Sequence, residues 1–445
     1  MDIRAACIPL AASLALAMPV AAKPDYARDI ESDYNASLGA LWDHFHRNPE
    51  LSFREFKTAE RMARELRAVE GMRVTEKVGQ TGVVGVLANG VGPVVMVRAD
   101  MDGLPVQERS GLPNASTVRQ VGVDGLEMPV MHACGHDVHI TSLVGTARQL
   151  ARLKSRWQGT VVFVVQPAEE RLGGAPAMLK DGLYTRFPKP DYALALHVSA
   201  ELPTGKISAS EGIQYSSADS VDIRVHGIAT HGAAPQLGRD PVYIASQIVV
   251  ALQGIIGREK GPLEPGVITV GAIHGGQKHN IVSEFVDLQL TVRANSRETR
   301  DMLIAAIERL ARGVALANGL PEDKLPTVKL GESTPVTVND AALARRLNTA
   351  IGRALGEDVV LPFRQTNMGA EDFAFFVDPG FDIPGYYFAV GGSDPAWIAA
   401  AKNGGPPVAG HHSPLFRIDP EPSVRLGVEA MTTAVLELLG PKDAN

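Results

Sequence analysis

The sequence predicts an α/β protein with a mostly parallel central sheet flanked by helices, and with an inserted ferredoxin-like α+β domain. Short apolar runs alternate with stretches of helical periodicity, as in proteins built on a parallel sheet. A middle segment follows the order β-α-β-β-α-β of a ferredoxin-like unit. The chain has 445 residues, of which 45% are hydrophobic and 21% charged. This length and composition are typical of two or three globular domains.

The first 22 residues predict a secretory signal peptide. Arg4 precedes an apolar run over 5–20 that is short for a membrane span, and small residues at Val20 and Ala22 suit cleavage after position 22. A membrane anchor is the alternative. We therefore expect an exported protein, periplasmic or secreted, with no membrane contact after cleavage. Because Cys7 lies in the signal, the mature chain would keep one cysteine and no intrachain disulfide.

The first part of the catalytic domain, 23–213, carries three buried strands and one long helix. The helix is expected over 137–157, with Asp137 as its N-cap. After the insertion the domain resumes over 333–445, where two further helices are expected at 340–355 and 422–440. The three strands are expected at 92–97, 159–165 and 191–196.

The inserted domain is expected over 214–332. Alternating apolar residues and β-branched runs predict its strands, and apolar residues at helical spacing predict its helices. The elements in chain order are a strand at 219–225, a helix at 241–259, strands at 266–273 and 284–294, a helix at 297–317 and a strand at 326–331.

The charge pattern argues against nucleic-acid binding. The chain has 43 basic and 50 acidic residues, a net charge of −7, and no basic block interleaved with aromatic residues. We therefore expect no nucleic-acid partner.

Three polar clusters follow three of the predicted sheet strands. The segment 98–102 follows the first strand, 166–170 follows the second, and His197 follows the third. Ligands of open α/β sheets bind beyond the carboxyl ends of the strands, so these clusters can share one crevice.

Two adjacent glutamates stand in the second cluster. Along a regular strand, Glu169 and Glu170 would face opposite sides. Pro167 and the glycines at 173–174 indicate that the strand has already ended, which allows both carboxylates to turn toward one site.

A thiol and an imidazole lie two positions apart in "CGHD". Gly135 between them permits a tight turn, and thiolate, imidazole and carboxylate are the donors that divalent transition metals prefer. One alternative is a nucleophilic Cys134 with His136 as its base. Another is a structural zinc site closed by four protein ligands. Near the C-terminus, "GHHSPLF" at 410–416 offers a further imidazole.

The motifs together resemble a family of metal-dependent amidohydrolases. It includes hippurate hydrolase, N-acyl-amino-acid hydrolases and the plant auxin-conjugate hydrolases, within the wider aminoacylase/carboxypeptidase superfamily. The resemblance runs in order from about residue 30 to 438. It is carried by "VRADMDGLPVQE", "MHACGHDVHITSLVGTA", "VVQPAEE", "ALHV", "THGAAPQLGRDP", "HNIV", "MGAEDFAFF" and "HHSPLF".

The resemblance implies a site for two divalent metal ions, of Zn, Mn, Co or Ni. Cys134 would bridge the ions, and Glu169 would be the general base. His412 is preferred to His411 because the family's ligand directly precedes the serine. The other ligands would be His136, Glu170 and His197. Three residues would support the site without binding metal: Asp100, Asp102, which would orient His136, and His139.

The resemblance also implies residues that bind the substrate. His231 would donate a hydrogen bond to the oxyanion, Asn280 would hold the substrate, and Arg293 would pair with its carboxylate. Gly369 and Glu371 would line the cleft. The resemblance further implies that the inserted domain acts as a lid or dimerisation domain. Some relatives form homo-oligomers through it, so whether His231 serves its own subunit or a neighbour stays open.

The implied reaction is hydrolysis of an N-acyl or N-aroyl amino acid to a carboxylic acid and a free amino acid. A metallo-carboxypeptidase or dipeptidase that cleaves short peptides is the alternative on the same scaffold. A metal-binding pseudo-hydrolase without activity is the alternative of a different class.

Overall fold

The computed structural model describes residues 24–440, in 18 strands and 11 α-helices. The strands are β1 (Met72–Val78), β2 (Gly82–Asn89), β3 (Val94–Asp100), β4 (Arg119–Val121), β5 (Glu127–Pro129), β6 (Gly159–Gln166), β7 (Tyr192–Pro203), β8 (Ile207–Ser208), β9 (Gly212–Tyr215), β10 (Ser217–His226), β11 (Thr230–His231), β12 (Gly266–Gly275), β13 (Ile281–Val282), β14 (Phe285–Ala294), β15 (Thr327–Thr334), β16 (Thr337–Asn339), β17 (Val360–Leu361) and β18 (Gly385–Ser393).

The helices cover both faces of the larger sheet and one face of the smaller one. They are α1 (Ala27–Asp33), α2 (Gly39–Arg47), α3 (Phe56–Arg67), α4 (His136–Arg152), α5 (Gly174–Lys180), α6 (Leu183–Arg186), α7 (Pro241–Gly254), α8 (Arg297–Ala317), α9 (Ala341–Leu355), α10 (Pro395–Lys402) and α11 (Pro420–Leu439).

The larger sheet has eight strands in the order β1-β2-β6-β3-β7-β18-β8-β17. Its centre, from β6 through β3 and β7 to β18, is parallel, whereas β1 and β2 are antiparallel additions at one edge. The predicted fold class, an α/β protein with a mostly parallel central sheet, is confirmed.

Burial on both faces explains why the central strands are continuous apolar runs. In β6, Val161, Phe163 and Val165 face one hydrophobic core, and Val162 and Val164 face the other. The helices α4 and α11 pack together in the first core, and α5 lies in the second. The sheet therefore holds its strand ends rigidly between two packed layers.

The smaller sheet is antiparallel, in the order β12-β14-β10-β15, and α7 and α8 pack against it. Its own core includes Val221, Ile244, Leu288 and Leu303. The sheet spans Ser217 to Thr334, close to the range of 214–332 predicted for the inserted domain, and follows the β-α-β-β-α-β order.

Among the described residues, one helical segment, Pro241–Glu259, is long and apolar enough to cross a membrane by length and composition. The sequence analysis predicted a helix over these residues, 241–259, but not a membrane span. Ile244, Ile248 and Leu252 of this segment pack into the core of the smaller sheet, as in the core helix of a globular domain.

Several predicted boundaries were wrong. Strand β3 continues to Asp100, so Arg98 and Asp100 lie within it and not after it, and helix α4 ends at Arg152 rather than at residue 157. Helix α4 begins at His136 with Gly135 as its N-cap, because the Asp137 side chain is buried and bonded to His46 Nδ1 at 2.8 Å rather than capping the helix. Strand β7 continues to Pro203, because its pairing with β18 extends past His197. His197 therefore lies within its strand and not after it.

Candidate metal centre

The metal-ligand candidates come together where β3, β6 and β7 meet the start of α4. Gly135 makes this possible, because its φ of 82° lies in the left-handed region and an added Cβ would stand 2.3 Å from Val198 Cγ1. Only glycine fits there. The tight turn at Gly135 directs the Cys134 and His136 side chains toward one point.

Hydrogen bonds fix the ring orientation of two histidines. His136 Nδ1 lies 2.8 Å from the main-chain oxygen of Asp102, and His197 Nδ1 lies 2.7 Å from that of Val198. Because a carbonyl oxygen only accepts, each Nδ1 carries the proton. In the neutral ring, each Nε2 then offers a lone pair, which is the arrangement seen in metal-binding histidines.

Two groups of donor atoms share Cys134. In one group, ligand atoms of Cys134, His136 and His197 lie within 4.8 Å of one another, and in the other, Cys134 is joined by Glu170 and His412. Two ions that share a thiolate bridge would use these two groups. The structure thus brings all five predicted ligands together.

Unpaired buried atoms at the site indicate a bound cation, independently of the residue types of the donors. His136 Nε2 and Glu170 Oε1 are buried and have no hydrogen-bond partner within the described protein. Buried polar atoms are rarely left unpaired, so both atoms need a partner that the protein does not supply. Thiolate, imidazole and carboxylate donors match zinc and its neighbours in the first transition row.

Of the two adjacent histidines near the C-terminus, His412 belongs to the donor group. Its Nε2 lies 3.4 Å from Glu170 Oε2, and its φ of 63° turns the chain so that its N–H donates to Ala133 O at 2.8 Å. His411 Nδ1 lies 3.8 Å from Cys134 Sγ, and its Nε2 accepts from Ala200 N at 3.4 Å. Because Nε2 accepts that hydrogen bond, the proton of the neutral ring is on Nδ1, which faces the thiol.

The two glutamates leave β6 on a turn, as predicted. Ala168 has a φ of 49°, and a short 3₁₀ turn over Glu169–Arg171 follows it. The main-chain N–H groups of Glu169 and Glu170 both donate to the Asp102 carboxylate at 3.1 Å. The turn places both carboxylates beside the thiol and histidines.

The electrostatics of the site oppose negative charge when no cation is present. Burial, with Glu371 and Glu170 nearby, raises the pKa of Glu169 well above its ordinary value. Burial, with Glu170 and Glu169 nearby, likewise raises the pKa of the Cys134 thiol. Burial lowers the pKa of His136, but Asp100 and Asp102 outweigh it and raise the pKa to about 10. Divalent cations would displace these protons.

Asp100 and His139, which the sequence analysis placed near the site without binding metal, lie beside His136. His139 Nε2 accepts from Val198 N at 2.8 Å, so its Nδ1 donates to Asp100 Oδ1 at 2.5 Å. Both ring nitrogens are thus occupied. Asp102 holds His136 chiefly through its main-chain oxygen, since its Oδ1 is 3.4 Å from Nδ1.

The sequence analysis missed Arg98. Its side chain is fully buried and donates to Asp100 Oδ2 and Glu371 Oε1, both at 2.7 Å. Tyr387 also donates to Glu371, at 2.6 Å. Glu371 lines the cavity, as expected, but its carboxylate already accepts hydrogen bonds from Arg98 and Tyr387. The arginine in the otherwise apolar run "VVMVRA" could have indicated a buried charge that needs acidic partners.

A cavity of about 660 Å³ opens beside the donors. Glu169, Glu170 and Gly369 line it, and so does Arg293. The Arg293 guanidinium donates to Thr291 Oγ1 at 2.5 Å and to Val292 O at 3.2 Å, but within the described range 24–440 it forms no ion pair. Lining residues that the sequence analysis missed are Leu202, Tyr215, Phe363 and Arg364.

His231 and Asn280 are not among the residues that line this cavity. They are exposed neighbours on the inserted domain, where Gly232 N donates to Asn280 O at 2.8 Å. The structure therefore brings these two predicted residues to each other but not to the donors. The predicted signal peptide, residues 1–22, lies outside the described residues.

Residues 96–406 match the model of peptidase family M20/M25/M40. The hippurate hydrolase of Campylobacter jejuni subsp. jejuni is 37% identical over 352 residues, which are 78% of this chain and 86% of the relative. The Arabidopsis thaliana IAA-amino acid hydrolase ILR1-like 2 is 33% identical over 84% of this chain and 79% of its own. These matches confirm the predicted resemblance.

A solved structure shares the architecture. The Bacillus subtilis YXEP protein, described as a dinuclear metal binding peptidase from the M20 family, superposes with a TM-score of 0.72 at 27% identity. The match covers 92% of this chain and 100% of that chain.

Proposed function

Because this chain belongs to peptidase family M20/M25/M40 and is a metal-dependent amidohydrolase, we propose that it hydrolyses N-acyl or N-aroyl amino acids with two divalent ions. The observation that carries the proposal is the pair of donor groups that share Cys134, with Glu169 beside them. The acylated amino acid and its products, a carboxylic acid and a free amino acid, are small enough for the adjacent cavity.

The bound ions would supply Lewis acidity, which acidifies a water and polarises the amide carbonyl. Glu169 accepts the proton of the attacking water and later delivers it to the nitrogen of the leaving amine. In the metal-free protein, burial and the neighbouring Glu371 and Glu170 raise the pKa of Glu169. Bound divalent cations would favour its ionised form, which is the form that accepts the proton. Asp102 holds the main chain of Glu169 in place.

The substrate would bind between a cation and an apolar wall. The Arg293 guanidinium has no carboxylate partner among the described residues, so it is free to pair with the substrate carboxylate in a bidentate fashion. Tyr215 and Phe363 line the same cavity and offer apolar surface to an acyl or aroyl group.

His231 and Asn280 would join the site through closure of the inserted domain or from a second subunit. Val242, Tyr243, Val250 and Ile273 of this domain are exposed apolar residues, and β12 is an unpaired sheet edge. Apolar surface and a free strand edge both favour pairing with another copy of the chain. His231 would then donate a hydrogen bond to the oxyanion.

We also propose export through a signal peptide over 1–22, to the periplasm or the exterior. N-terminal sequencing of the mature protein checks this, with Lys23 expected as the first residue. An intact Met1 on the exported protein would contradict cleavage.

The test of function is a substrate screen on protein stripped of metal and reloaded separately with Zn²⁺, Mn²⁺, Co²⁺ or Ni²⁺. We expect release of free amino acid from N-acetyl and N-benzoyl amino acids, and none from the stripped protein. Faster turnover of dipeptides would favour the carboxypeptidase or dipeptidase alternative. No turnover of either class with bound metal would identify a pseudo-hydrolase.

A further inference from the structure

A buried carboxylate without a basic partner lies behind the loop that carries the two glutamates. Glu55, which directly precedes α3, is 0% exposed, and no ion pair involves it among residues 24–440. Burying an ionisable group is costly unless its hydrogen bonds are satisfied. Glu55 meets this requirement through three donors from different parts of the chain.

The three donors are Phe53, Thr81 and Ala168. Glu55 Oε1 accepts from the main-chain N–H groups of Phe53 and Ala168, both at 2.9 Å, and Oε2 accepts from Thr81 Oγ1 at 2.6 Å. The contact with Ala168 spans 113 positions of sequence. A residue near the N-terminus is therefore bonded to the turn that precedes Glu169.

That turn is conformationally demanding. Ala168 is in the left-handed region with a φ of 49°, which costs free energy for a residue with a Cβ. Its carbonyl oxygen accepts from the N–H groups of Gly173 and Gly174, both at 3.2 Å. The hydrogen bond from its N–H to Glu55 completes the restraint on this peptide.

The same N-terminal segment also contacts Asp102, which is bonded to the main chain of the two glutamates. Ser52 Oγ donates to Asp102 Oδ2 at 2.6 Å, and the Asp102 carboxylate accepts from the N–H groups of Glu169 and Glu170. The segment 52–55 therefore contacts both anchors of the glutamate turn.

We propose that Glu55 is a positioning residue, which fixes the left-handed peptide at Ala168 and thereby aims Glu169 and Glu170 at the metal centre. The proposal rests on the proposed function for the role of Glu169 in turnover. The effect on the orientation of Glu170 is measured by metal affinity alone and does not depend on the proposed function. Outer contacts of this kind commonly change metal affinity or activity by about 10- to 100-fold.

Glu50 provides a matched control in the same segment. It is also a buried carboxylate, and its Oε2 accepts from Thr58 N at 2.7 Å, but its side chain has no hydrogen bond to the glutamate turn. Replacing Glu50 therefore removes a buried carboxylate but leaves the hydrogen bond from Ala168 to Glu55 intact.

The experiment compares Glu55→Ala, Glu55→Gln and Glu50→Ala in the metal-loaded full-length protein. We expect Glu55→Ala to lower kcat about 100-fold, with KM within about threefold of wild type, because misplacement of a catalytic group by about 1 Å has such an effect. Its dissociation constant for Zn²⁺, measured by competition with a chelator, should rise about 10-fold. Glu50→Ala should match wild type in both measurements.

Glu55→Gln separates positioning from general packing. Its amide oxygen can still accept from Phe53 and Ala168, and its NH₂ can donate to Thr81, so it should recover most of kcat and of the Zn²⁺ affinity. If Glu55→Ala does not fold, Glu55→Asp, which is too short to reach Ala168, takes its place with the same expected losses.

Three results would overturn the proposal: unchanged kcat and Zn²⁺ affinity in Glu55→Ala, equal losses in Glu50→Ala, or no recovery in Glu55→Gln. The Zn²⁺ titration needs no substrate. A wild-type protein without turnover would therefore refute the proposed function, whereas the role of Glu55 would still be decided by metal affinity.

Discussion

Cys134 is the residue that both donor groups share, and Glu169 is the acid that stands beside them without being required by either group. This division matters because a ligand and a proton carrier respond differently to substitution. Loss of a ligand changes metal content, whereas loss of a general base changes turnover with the metal in place.

Replacing Glu169 with Gln should leave the binding of two metal ions nearly intact and lower kcat by about 100- to 10,000-fold, the usual contribution of general acid–base catalysis. Steady-state kinetics combined with metal analysis of the same sample checks this. Wild-type turnover in the variant would show that another group accepts the proton.

Replacing Arg293 with Ala should raise KM for N-acyl amino acids about 10- to 100-fold, because hydrogen bonds to charged groups contribute about 1.5–3 kcal/mol. The matching carboxamide substrate has no negative charge to pair with the guanidinium and serves as the control. Equal losses on both substrates would refute a carboxylate-binding role.

At the residue scale, local sequence was sufficient to predict the candidate ligands but not the contacts around them. Cys134 and His136 stand two positions apart, and Glu169 and Glu170 are adjacent, so their chemistry is visible in short motifs. The bond from Arg98 to Glu371 joins residues 273 positions apart. No local pattern predicts such a contact.

The helices α2 and α4 are joined by a buried charge cluster next to the metal centre. His46 Nδ1 lies 2.8 Å from Asp137 Oδ2, and its Nε2 lies 3.3 Å from Glu108 Oε1. Burial lowers the pKa of His46, but hydrogen bonds with these two carboxylates outweigh it and raise the pKa to about 10. The imidazolium thus holds the start of α4 against α2.

Because the pKa of His46 is raised on folding, its stabilising effect is complete below about pH 6.5 and is lost as the pH rises through about 10. Replacing His46 with Gln should lower the free energy of unfolding by about 3 kcal/mol at neutral pH, since it breaks a buried ion pair.

Urea denaturation of wild type and of the Gln variant at a series of pH values from 6 to 10.5 measures this effect. The difference between the two proteins should shrink as the pH rises. A difference that is constant over this range would contradict a charged His46.

At the element scale, the strands and helices were predicted from apolar runs and helical spacing. Those patterns located β6 and α11 closely but misplaced the ends of β3 and α4. They did not single out β18, although it lies inside the larger sheet, where it pairs with β7 and β8. Glycines at both ends of β18, Gly385, Gly391 and Gly392, weaken the strand pattern. Pairing with the neighbouring strands overrides that weakness.

At the scale of the whole molecule, the structure over residues 24–440 places the candidate donors at the larger sheet. His231 and Asn280 lie in the chain segment of the smaller sheet and do not line the cavity beside the donors. Sequence motifs predicted both sets of residues, but not their separation, because the orientation of one sheet relative to another depends on contacts between domains. Under the proposed function, His231 would therefore have to reach the site by motion or from a second subunit.

Mixing two inactive variants distinguishes these routes. Glu169→Gln and His231→Ala should each be inactive alone. If His231 acts across subunits, random re-association of dimers should restore about a quarter of wild-type activity, since half of the dimers are mixed and each has one intact site. No recovery after re-association would show that His231 serves its own subunit.

The central claim is that Cys134, His136, Glu170, His197 and His412 hold two metal ions. The most direct measurement is anomalous diffraction, at the absorption edge of the bound metal, from crystals of the metal-loaded protein. We predict two peaks about 3.5–4 Å apart, both adjacent to Cys134 Sγ. A single peak, or peaks beside Asp100 and His139 instead, would contradict the account.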